Sequence, residues 1–406
     1  MSATERLYYH DSHLLEFDAH VTDVTEGDDG AIAVILDRTA FYPTGGGQPN
    51  DTGTLGQARV VDCIDAESKG VLHVIQGPTP ESGELVHGRI DALRRLDHMQ
   101  QHTGQHILSA AFVRLFDAAT CSFRVMDHES EIDVELDSPT NEKIEQAVDL
   151  ANQTIWANLP IQVREVSSQE AASLPLRKEP AREGELRLIE ITDFDLTACG
   201  GTHANATGEV GVIAVRGWER AKGLTRIQFM AGLRLVNDYR KANRTAGRAA
   251  TLFSAGRDDT PALVAGLMEE NKKLKRRVRE LDSIACRVEA EDLIRRSQAT
   301  GKVRIVTGLF LDRDVESLKH LARALIAHPN VVALLGSRDG DAARLVFARS
   351  TDLPGDMSTL MREACAAIDG RGGGKPEMAQ GGGTTSDKLE SAIESAAAAV
   401  KVQTGM

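Results

Sequence analysis

Short apolar runs alternate with turn residues over the first 90 positions. Apolar and polar residues alternate within 31–36, 58–63 and 71–75, and Gly, Asp and Pro separate these runs. A period of two is typical of half-buried β-strands, and the separating residues favour turns. We therefore predict a β-rich, barrel-like domain over residues 1–90.

A helical period follows. Residues 94–115 carry apolar side chains at three- and four-residue spacing, with Gly104 as the one weak point. Beyond this helix, strands alternate with a second helix near 140–158, which predicts an α+β or α/β domain over 91–232. The strands are predicted at 131–136, 161–166, 186–191 and 211–216.

Residues 233–300 are charged and helical, with a heptad pattern in the second half. One core position of the heptad holds Leu267, Leu274, Leu281 and Val288. The other core position holds Val264, Asn271, Val278 and Ala285. A break at 255–261 separates this helix from an earlier one. The pattern is compatible with a coiled-coil dimer through residues 262–290 and with an antiparallel hairpin within one chain.

The last segment, 301–406, predicts a small α/β domain. Strands at 303–307, 331–335 and 344–348 alternate with helices near 314–327 and 356–369, and a glycine-rich loop over 370–383 precedes a final helix. The expected fold class is therefore a multidomain α/β and α+β protein. Its parts are a barrel-like domain, an α+β domain, a helical or coiled-coil linker and a C-terminal α/β domain.

Composition is that of a soluble globular protein, with 41% hydrophobic and 26% charged residues among 406. The apolar runs are too short to span a bilayer, and the N-terminus lacks the apolar core of a secretory signal. Five scattered cysteines form no disulfide framework and fit a reducing compartment, so we expect a cytoplasmic protein. The net charge of −13 does not exclude a tRNA partner, because binding needs only a local basic surface.

Two short motifs supply side chains that bind zinc. His102 and His106 are four residues apart on the predicted helix, which places both imidazoles on one face. Cys199 and His203 belong to the sequence CGGTH, whose two glycines let the backbone turn tightly. Imidazole and thiolate together favour zinc over hard cations. We predict that these four residues bind Zn²⁺.

Each motif alone also has an ordinary explanation. Two histidines on a helix are commonly unrelated, and CGGTH is compatible with a turn around a buried cysteine. Four protein ligands also suit a closed structural zinc site, whereas catalysis needs room for water or substrate. Thr103 stands where zinc proteases carry their glutamate base, so the usual zinc-protease motif is absent. Asp193 and Asp195 are compatible with turn residues and with groups that orient an imidazole or act as a base.

With these motifs the chain resembles the editing domain of alanyl-tRNA synthetase and its free-standing relatives, the AlaX alanyl-tRNA editing proteins. The stretch RTAFYPTGGGQP (38–49) is similar to the family's N-terminal glycine motif, and CGGTH continues into ATGEVG (206–211) as in the family. The second glycine-rich segment resembles the DHH-associated domain, although no Asp-His-His phosphoesterase motif is present. The order of motifs is that of the long AlaX form. Because the glycine motif begins within 50 residues of Met1, we expect no aminoacylation core.

The resemblance implies a zinc-dependent aminoacyl-tRNA deacylase acting in trans on mischarged tRNA(Ala), with serine as the main amino acid and glycine as a second candidate. An alanine-sized activation pocket rejects both poorly, so a second hydrolytic site is expected. Zinc would activate water, polarise the ester or hold the substrate. Thr39 and Asp193 are the candidate catalytic residues, and Thr39 is also the candidate for recognising the serine hydroxyl. The other substrate contacts expected in the glycine motif are Gly45, Gly46, Gly47 and Gln48.

Basic residues indicate where tRNA would bind. Arg216, Lys222 and Arg226 resemble the family's basic segment, and we expect them to contact phosphates of the acceptor end. A second basic run, 272–279, is compatible with tRNA contact and with a solvated helix face. The resemblance also implies that the C-terminal domain assists tRNA binding or dimerisation, so a homodimer through 262–290 or through that domain is predicted. No membrane partner is expected.

Three other functions fit parts of the sequence. A non-catalytic tRNA-binding protein with a structural zinc would carry the same ligands. A zinc hydrolase acting on a small metabolite would not need the basic residues. A threonyl-type editing enzyme shares the histidine and cysteine motifs, but the N-terminal glycine motif and the tail domain favour the alanine side.

Overall fold

A computed structural model of the chain describes residues 4–27, 30–178 and 184–403. The chain divides into two compact units, Met1–Arg248 and Ala249–Met406. The finer division at residues 90, 232 and 300 stays a prediction.

The first unit begins with a closed six-stranded barrel, in the strand order β2-β3-β7-β6-β5-β8. This confirms the barrel predicted from the alternating pattern. A bulge between Val60 and Asp62 shifts the alternation within one strand, so that Val60 and Cys63 both point into the core. The strands are β1 (Glu5–Arg6), β2 (Glu16–Glu26), β3 (Ile32–Leu36), β4 (Arg38–Thr39), β5 (Gly53–Leu55), β6 (Ala58–Asp65), β7 (Val71–Gln76) and β8 (Leu85–Ile90).

The rest of this unit packs two helices against two antiparallel sheets, which share one apolar core. The sheets have the strand orders β14-β15-β10-β9 and β11-β12-β13. The elements are α1 (Ala92–Phe116), β9 (Thr120–Val125), β10 (Ser130–Val134), α2 (Asn141–Trp156), β11 (Ile161–Ser167), α3 (Ser168–Ala171), β12 (Glu185–Ile191), β13 (Asp195–Ala198), β14 (Ile213–Ala221) and β15 (Leu224–Ala231).

Helix α1 is fixed firmly to the barrel. Its N-cap Asp91 accepts hydrogen bonds from the backbone N–H groups of Leu93 and Arg94, which satisfies donors that the helix leaves unpaired. One turn later, the buried guanidinium of Arg95 pairs with Asp51 and donates to two barrel-side carbonyls. A buried charge pair whose hydrogen bonds are all made holds its elements in one arrangement, because separating the pair would leave a buried charge without a partner. The face of α1 that carries the histidines is thereby positioned.

The second unit contains a mixed six-stranded sheet in the order β16-β17-β18-β19-β21-β20. Strands β17 and β18 are parallel and joined by helix α6, as in a βαβ unit, and the other neighbours are antiparallel. The α/β architecture predicted for this region is confirmed. Helix α4 (Gly232–Thr251) belongs to the first unit up to Arg248. The elements that follow it are α5 (Thr260–Arg296), β16 (Ala299–Thr300), β17 (Val303–Leu311), α6 (Val315–Ile326), β18 (Val331–Asp339), β19 (Ala342–Arg349), α7 (Met357–Ala367), β20 (Gly370–Lys375), β21 (Met378–Gly383) and α8 (Leu389–Gln403).

The glycine-rich segment 370–383 is not the loop that we predicted from its composition. It forms the hairpin β20–β21, paired from Gly370 with Gly383 to Lys375 with Met378. Glycine weakens a strand and is usually found there only where a neighbouring group must approach the backbone closely. Here its use is close packing, because a Cβ on Gly381 would lie 2.3 Å from the Sγ atom of Cys365 on α7.

Helix α5 presents its heptad side chains to solvent in the single chain. Val264, Leu267, Leu274, Val278, Leu281 and Val288 are 41% to 63% exposed. Toward its C-terminal end, Cys286 and Ala290 are buried in a core shared with α6. The dimer and the hairpin both stay predictions. Among the described residues, every helix is too short or too polar to cross a membrane.

Candidate metal centre

Two segments of the first unit bring four potential metal ligands together. His102 and His106 are buried on one face of α1, and Cys199 and His203 lie in the loop after β13. The glycine at 201 permits this meeting for a reason that the sequence did not reveal. A Cβ there would stand 2.2 Å from Cε1 of His102, so only glycine lets the loop approach the helix.

Two distances within the cluster match those expected around one tetrahedral ion. The Sγ atom of Cys199 is 3.4 Å from Nε2 of His102 and 3.3 Å from Nε2 of His203. Ligands about 2.0 to 2.3 Å from a shared zinc ion stand roughly 3.3 to 3.7 Å from one another. The four ligand atoms all lie within 4.8 Å of one another. The donor set of three imidazoles and one thiol is one that zinc prefers.

The charge state of the cluster also suits a metal. Burial acts to raise the pKa of Cys199, but the imidazoles of His102 and His203 outweigh it and hold that pKa well below its usual value. The thiolate, which is the form that binds metals, is therefore favoured. Burial lowers the pKa of His203 to about 3, which keeps its imidazole neutral and able to bind an ion.

A second layer of side chains orients the imidazoles. Nδ1 of His102 donates to the side-chain oxygen of Gln48 over 2.7 Å, which leaves Nε2 free to face Cys199. The hydroxyl of Thr103 lies 3.4 Å from Nδ1 of His203. Partners of this kind fix the tautomer and the ring orientation of metal-binding histidines.

Asp195 is the corresponding group for His106. One of its buried carboxylate oxygens lies 3.4 Å from Nδ1 of His106, although the two are not aligned as a hydrogen bond. Burial acts to lower the pKa of His106, but Asp195 and Cys199 outweigh it and raise that pKa. Arg177 holds the carboxylate from the other side at 2.7 and 3.2 Å.

A cavity of about 920 Å³ opens beside the cluster. His102, His106 and Cys199 all contribute to its wall, so a bound ion would face a space that admits a substrate. Gly45 and Gly46 of the glycine motif line the same cavity. Three tyrosines, Tyr8, Tyr9 and Tyr42, form an aromatic wall with edge-to-face contacts.

Arg187 is a site residue that the sequence pattern did not single out. It donates to the backbone oxygens of Cys199 and Gly201 at 2.7 and 3.0 Å and to that of Tyr9 at 2.9 Å. It therefore braces the loop that carries the thiol against the N-terminal segment. Its position on β12, within a hydrophobic and polar alternation, gave no signal, because an arginine in a strand is usually solvated.

The structure places the other predicted residues of the first unit in varied surroundings. Thr39 is fully buried, and its hydroxyl is 2.8 Å from Nε2 of His73 and does not line the cavity. Gly47 has a φ of +82° and approaches Phe123, while Gln48 contacts His102 and Thr202.

Asp193 is exposed in a left-handed turn with a φ of +56°, away from the cavity wall. Its neighbour Asp195, which the alternation of β13 turns inward, is the acidic group that meets the cluster.

The predicted tRNA contacts lie on the hairpin β14–β15 and outside the cavity wall. Arg226 is paired with Asp133 at 2.8 and 3.1 Å, and Arg216 lies 3.4 Å from Glu129. Lys222 is exposed at the hairpin tip, with a φ of +52°. Lys222 is thus the most available of the three for a phosphate.

Three family models match the chain. Residues 2–94 match tRNA synthetases class II (A), residues 186–228 match the threonyl and alanyl tRNA synthetase second additional domain, and residues 303–402 match the DHHA1 domain. The second match includes the Cys199 and His203 loop.

A curated relative extends the likeness along the chain. The alanyl-tRNA editing protein AlaX-L of Pyrococcus horikoshii is 31% identical over 390 residues, which cover 93% of this chain and 94% of that protein. The chain belongs to the AlaX family. The order of the matched domains in this AlaX protein is the one expected of the long form.

Alanine–tRNA ligases match over a smaller share of their length. That of Archaeoglobus fulgidus is 32% identical, with 93% of the AlaX chain and 42% of the ligase covered. Among solved structures, the C-Ala domain of Aquifex aeolicus alanyl-tRNA synthetase is 28% identical over 24% of this chain and 92% of that domain, with a TM-score of 0.23. That score is too low to support an argument about the fold.

Proposed function

We propose that this chain is a trans-editing hydrolase that deacylates mischarged tRNA(Ala), chiefly Ser-tRNA(Ala) and also Gly-tRNA(Ala). The observation that carries the proposal is the cluster of three imidazoles and one thiol in the wall of a cavity of about 920 Å³. Membership of the AlaX family supports an aminoacyl-tRNA as the substrate.

His102, His106, Cys199 and His203 would hold Zn²⁺, as the distances and the thiolate favour. When bound there, zinc supplies Lewis acidity that polarises an ester carbonyl. Hydrolysis adds water across the ester and yields the free amino acid and the terminal ribose hydroxyl of tRNA.

The residues around the cluster prepare the site before substrate arrives. Gln48, Thr103 and Asp195 hold the imidazole rings, and Arg187 holds the loop of the thiol. Groups held in advance lose little entropy when the ester binds, and this lowers the barrier. The tyrosine wall borders one side of the cavity, and the half-buried ring of Tyr9 offers a flat surface to the terminal adenosine.

The acceptor end would reach the cavity along the basic hairpin. Lys222 and Arg216 are suited to phosphate contacts, while Arg226 keeps the hairpin against β10 through Asp133. Contacts of this kind position the tRNA without reading its sequence.

Deacylation assays with Ser-, Gly- and Ala-tRNA(Ala) test the proposal, each with and without a chelator. We expect rapid loss of serine, slower loss of glycine, little loss of alanine and inactivation by the chelator. Cys199→Ala should abolish hydrolysis. A folded Cys199→Ala protein that deacylates Ser-tRNA(Ala) at the normal rate would overturn the proposal. Zinc-bound protein that binds tRNA without hydrolysing it would instead support the structural-zinc alternative.

A further inference from the structure

One polar side chain of the cavity wall has an oxygen to which no described residue donates a hydrogen bond. Gln105 lies on α1 between His102 and His106, lines the cavity and is 6% exposed. The three residues occupy adjacent positions on one helical face. Gln105 is therefore close to any ester that the cluster would bind.

The amide of Gln105 is held in one orientation. Its Nε2 donates to Oγ of Ser109 over 2.8 Å, and the same Oγ is 2.7 Å from Oγ1 of Thr120. Thr120 itself lines the cavity, at the start of β9. Since the nitrogen points at Ser109, the carbonyl oxygen is the end of the amide left for the cavity. No described residue donates a hydrogen bond to it.

Most other polar groups around the cavity already have partners or lie in solvent. Three further polar atoms of its lining residues, Oη of Tyr8, Nδ1 of His106 and Nη2 of Arg187, lack partners among the described residues, but they are closed off from solvent. The hydroxyl of Thr44 accepts from the N–H of Asn50, and its side chain is exposed. The paired groups are Tyr42 with Gly45, Arg6 with Asp65, Arg177 and Thr197 with Asp195, and Ser122 with Asp133. Gln105 differs from them because its oxygen has no donor among the described residues and is open to the cavity.

A bound ester makes such an acceptor selective. An acceptor in open solvent exchanges water for a ligand hydroxyl at little net gain, whereas an acceptor whose cavity is filled by a ligand loses its water and is left unsatisfied unless the ligand brings a donor. Sites built around a substrate hydroxyl reject analogues that lack it far more strongly than apolar pockets reject an added methylene. Serine and alanine differ by one hydroxyl. The sequence assigned its recognition to Thr39, whose hydroxyl the structure pairs with His73.

We propose that the carbonyl oxygen of Gln105 accepts a hydrogen bond from the side-chain hydroxyl of the seryl ester. Gln105 is then the residue that makes the site prefer seryl over glycyl and alanyl esters. This inference rests on the proposed deacylase function.

The first test is the substitution Gln105→Leu, which removes the acceptor at similar volume. We expect the ratio of kcat/KM for Ser-tRNA(Ala) to that for Gly-tRNA(Ala) to fall at least tenfold. Gln153→Leu, the same change at an exposed position of α2, should leave the ratio unchanged. Zinc content and circular dichroism establish that each variant is folded and loaded.

The second test measures binding without chemistry. Adenosines carrying serine or glycine through a non-hydrolysable 3′-amide link are titrated against each protein. The wild type should bind the seryl compound more tightly, and Gln105→Leu should remove that preference. Ser109→Ala, which frees the amide but keeps its oxygen, should reduce the preference by a smaller factor of about two to five.

The outcomes separate the inference from the function on which it rests. If the wild type leaves Ser-tRNA(Ala) intact, the proposed function fails. If the wild type deacylates it, and zinc-loaded Gln105→Leu keeps both the wild-type substrate ratio and the wild-type binding preference, the assignment of Gln105 is overturned. A lower ratio and a lost preference together support it.

Discussion

Two glycine-rich segments, one in each unit, look alike in the sequence and differ in what surrounds them. The first, Gly45–Gly47, borders the cavity beside the candidate metal centre. The second, 370–383, forms a hairpin against α7. Neither segment carries the Lys-Ser or Lys-Thr pair that follows a phosphate loop. The neighbours of each glycine, rather than the number of glycines, decide its role.

In the first segment the backbone itself demands glycine. Gly46 and Gly47 have φ values of +55° and +82°, which residues with a side chain seldom adopt. A Cβ on Gly47 would lie 2.2 Å from the backbone oxygen of Phe123. Gly47 also accepts a hydrogen bond from the N–H of Val125, so the segment is tied to β9. The turn leaves Gln48 facing His102.

In the second segment the demand comes from a helix. Gly372 and Gly381 have extended backbones, but a Cβ on either would overlap Met361 and Cys365 of α7. Gly373, which faces the other way, has nothing within 4 Å of its Cβ position. Lys375 is exposed at the hairpin end. This segment is therefore a packing surface.

Gly47→Ala should have the largest effect on stability. The strain of the positive φ and the overlap with a backbone oxygen add to each other, and the backbone cannot move aside. We therefore expect the free energy of unfolding to fall by roughly 3 to 6 kcal/mol. Both tryptophans, Trp156 and Trp218, lie in the first unit, so tryptophan fluorescence during urea unfolding measures it. Gly45→Ala is the control, because its Cβ would make an ordinary 3.6 Å contact. Equal stability of the two variants would contradict this reading.

Gly381→Ala should destabilise the second unit by about 2 to 3 kcal/mol. This is less than for Gly47→Ala, because the backbone at Gly381 is extended and the tightest overlap, 2.3 Å from Sγ of Cys365, involves a side chain that can shift. Circular dichroism should show an earlier transition while tryptophan fluorescence stays at the wild-type midpoint. Gly373→Ala should behave as the wild type. If Gly381→Ala moved the fluorescence transition as well, the effect would not be confined to the second unit.

The contrast also explains what the sequence could predict. Period and spacing predicted the helix that carries His102 and His106, most of the strands, and the meeting of two distant motifs. These features depend on repeated apolar positions and on residue types that can be identified within a short stretch of sequence. Gly201 and Asp195 act through neighbours about a hundred residues away along the chain. Their roles depend on contacts that no local pattern encodes.

The same limit applies to Thr39, Gln48 and 370–383. Thr39 was chosen by its place in a motif, yet the barrel turns it toward His73. Gln48 is a predicted substrate contact, and the motif gave no sign that its side chain also holds an imidazole. The glycine content of 370–383 predicts a loop, but these glycines pack against a helix that the composition cannot reveal.

Gln48→Leu tests whether the first segment serves the metal. Gln48 accepts from Nδ1 of His102 at 2.7 Å and from the N–H of Thr202 at 3.3 Å. Removing such an outer partner lowers metal affinity about 10- to 100-fold, and we expect the same here. Competition with a chromogenic chelator measures the Zn²⁺ affinity. Gln380→Leu, at an exposed position of the second segment, is the matched control and should bind Zn²⁺ normally. An unchanged Zn²⁺ affinity in Gln48→Leu would show that the first segment does not contribute to metal binding.

The smallest effect concerns tRNA binding by the second unit. On α5, Arg276 and Arg277 approach Glu280, whereas no described carboxylate pairs with Lys272, Lys273 or Lys275. If these cations meet phosphates, reversing Lys272, Lys273, Lys275 and Arg276 to Glu should weaken tRNA binding modestly. It should also reduce the slope of log affinity against log salt by about 0.7 to 0.9 per lost contact.

Filter binding of tRNA(Ala) at several salt concentrations measures that slope. A control variant with four reversals at exposed positions elsewhere on the unit matches the change in total charge. These positions are Lys302, Arg362, Lys375 and Lys388, each changed to Glu. A shift in affinity with the same slope in both variants would reflect net charge alone. A slope that falls only in the α5 variant would give the second unit a part in substrate binding, although its own glycine-rich segment serves packing.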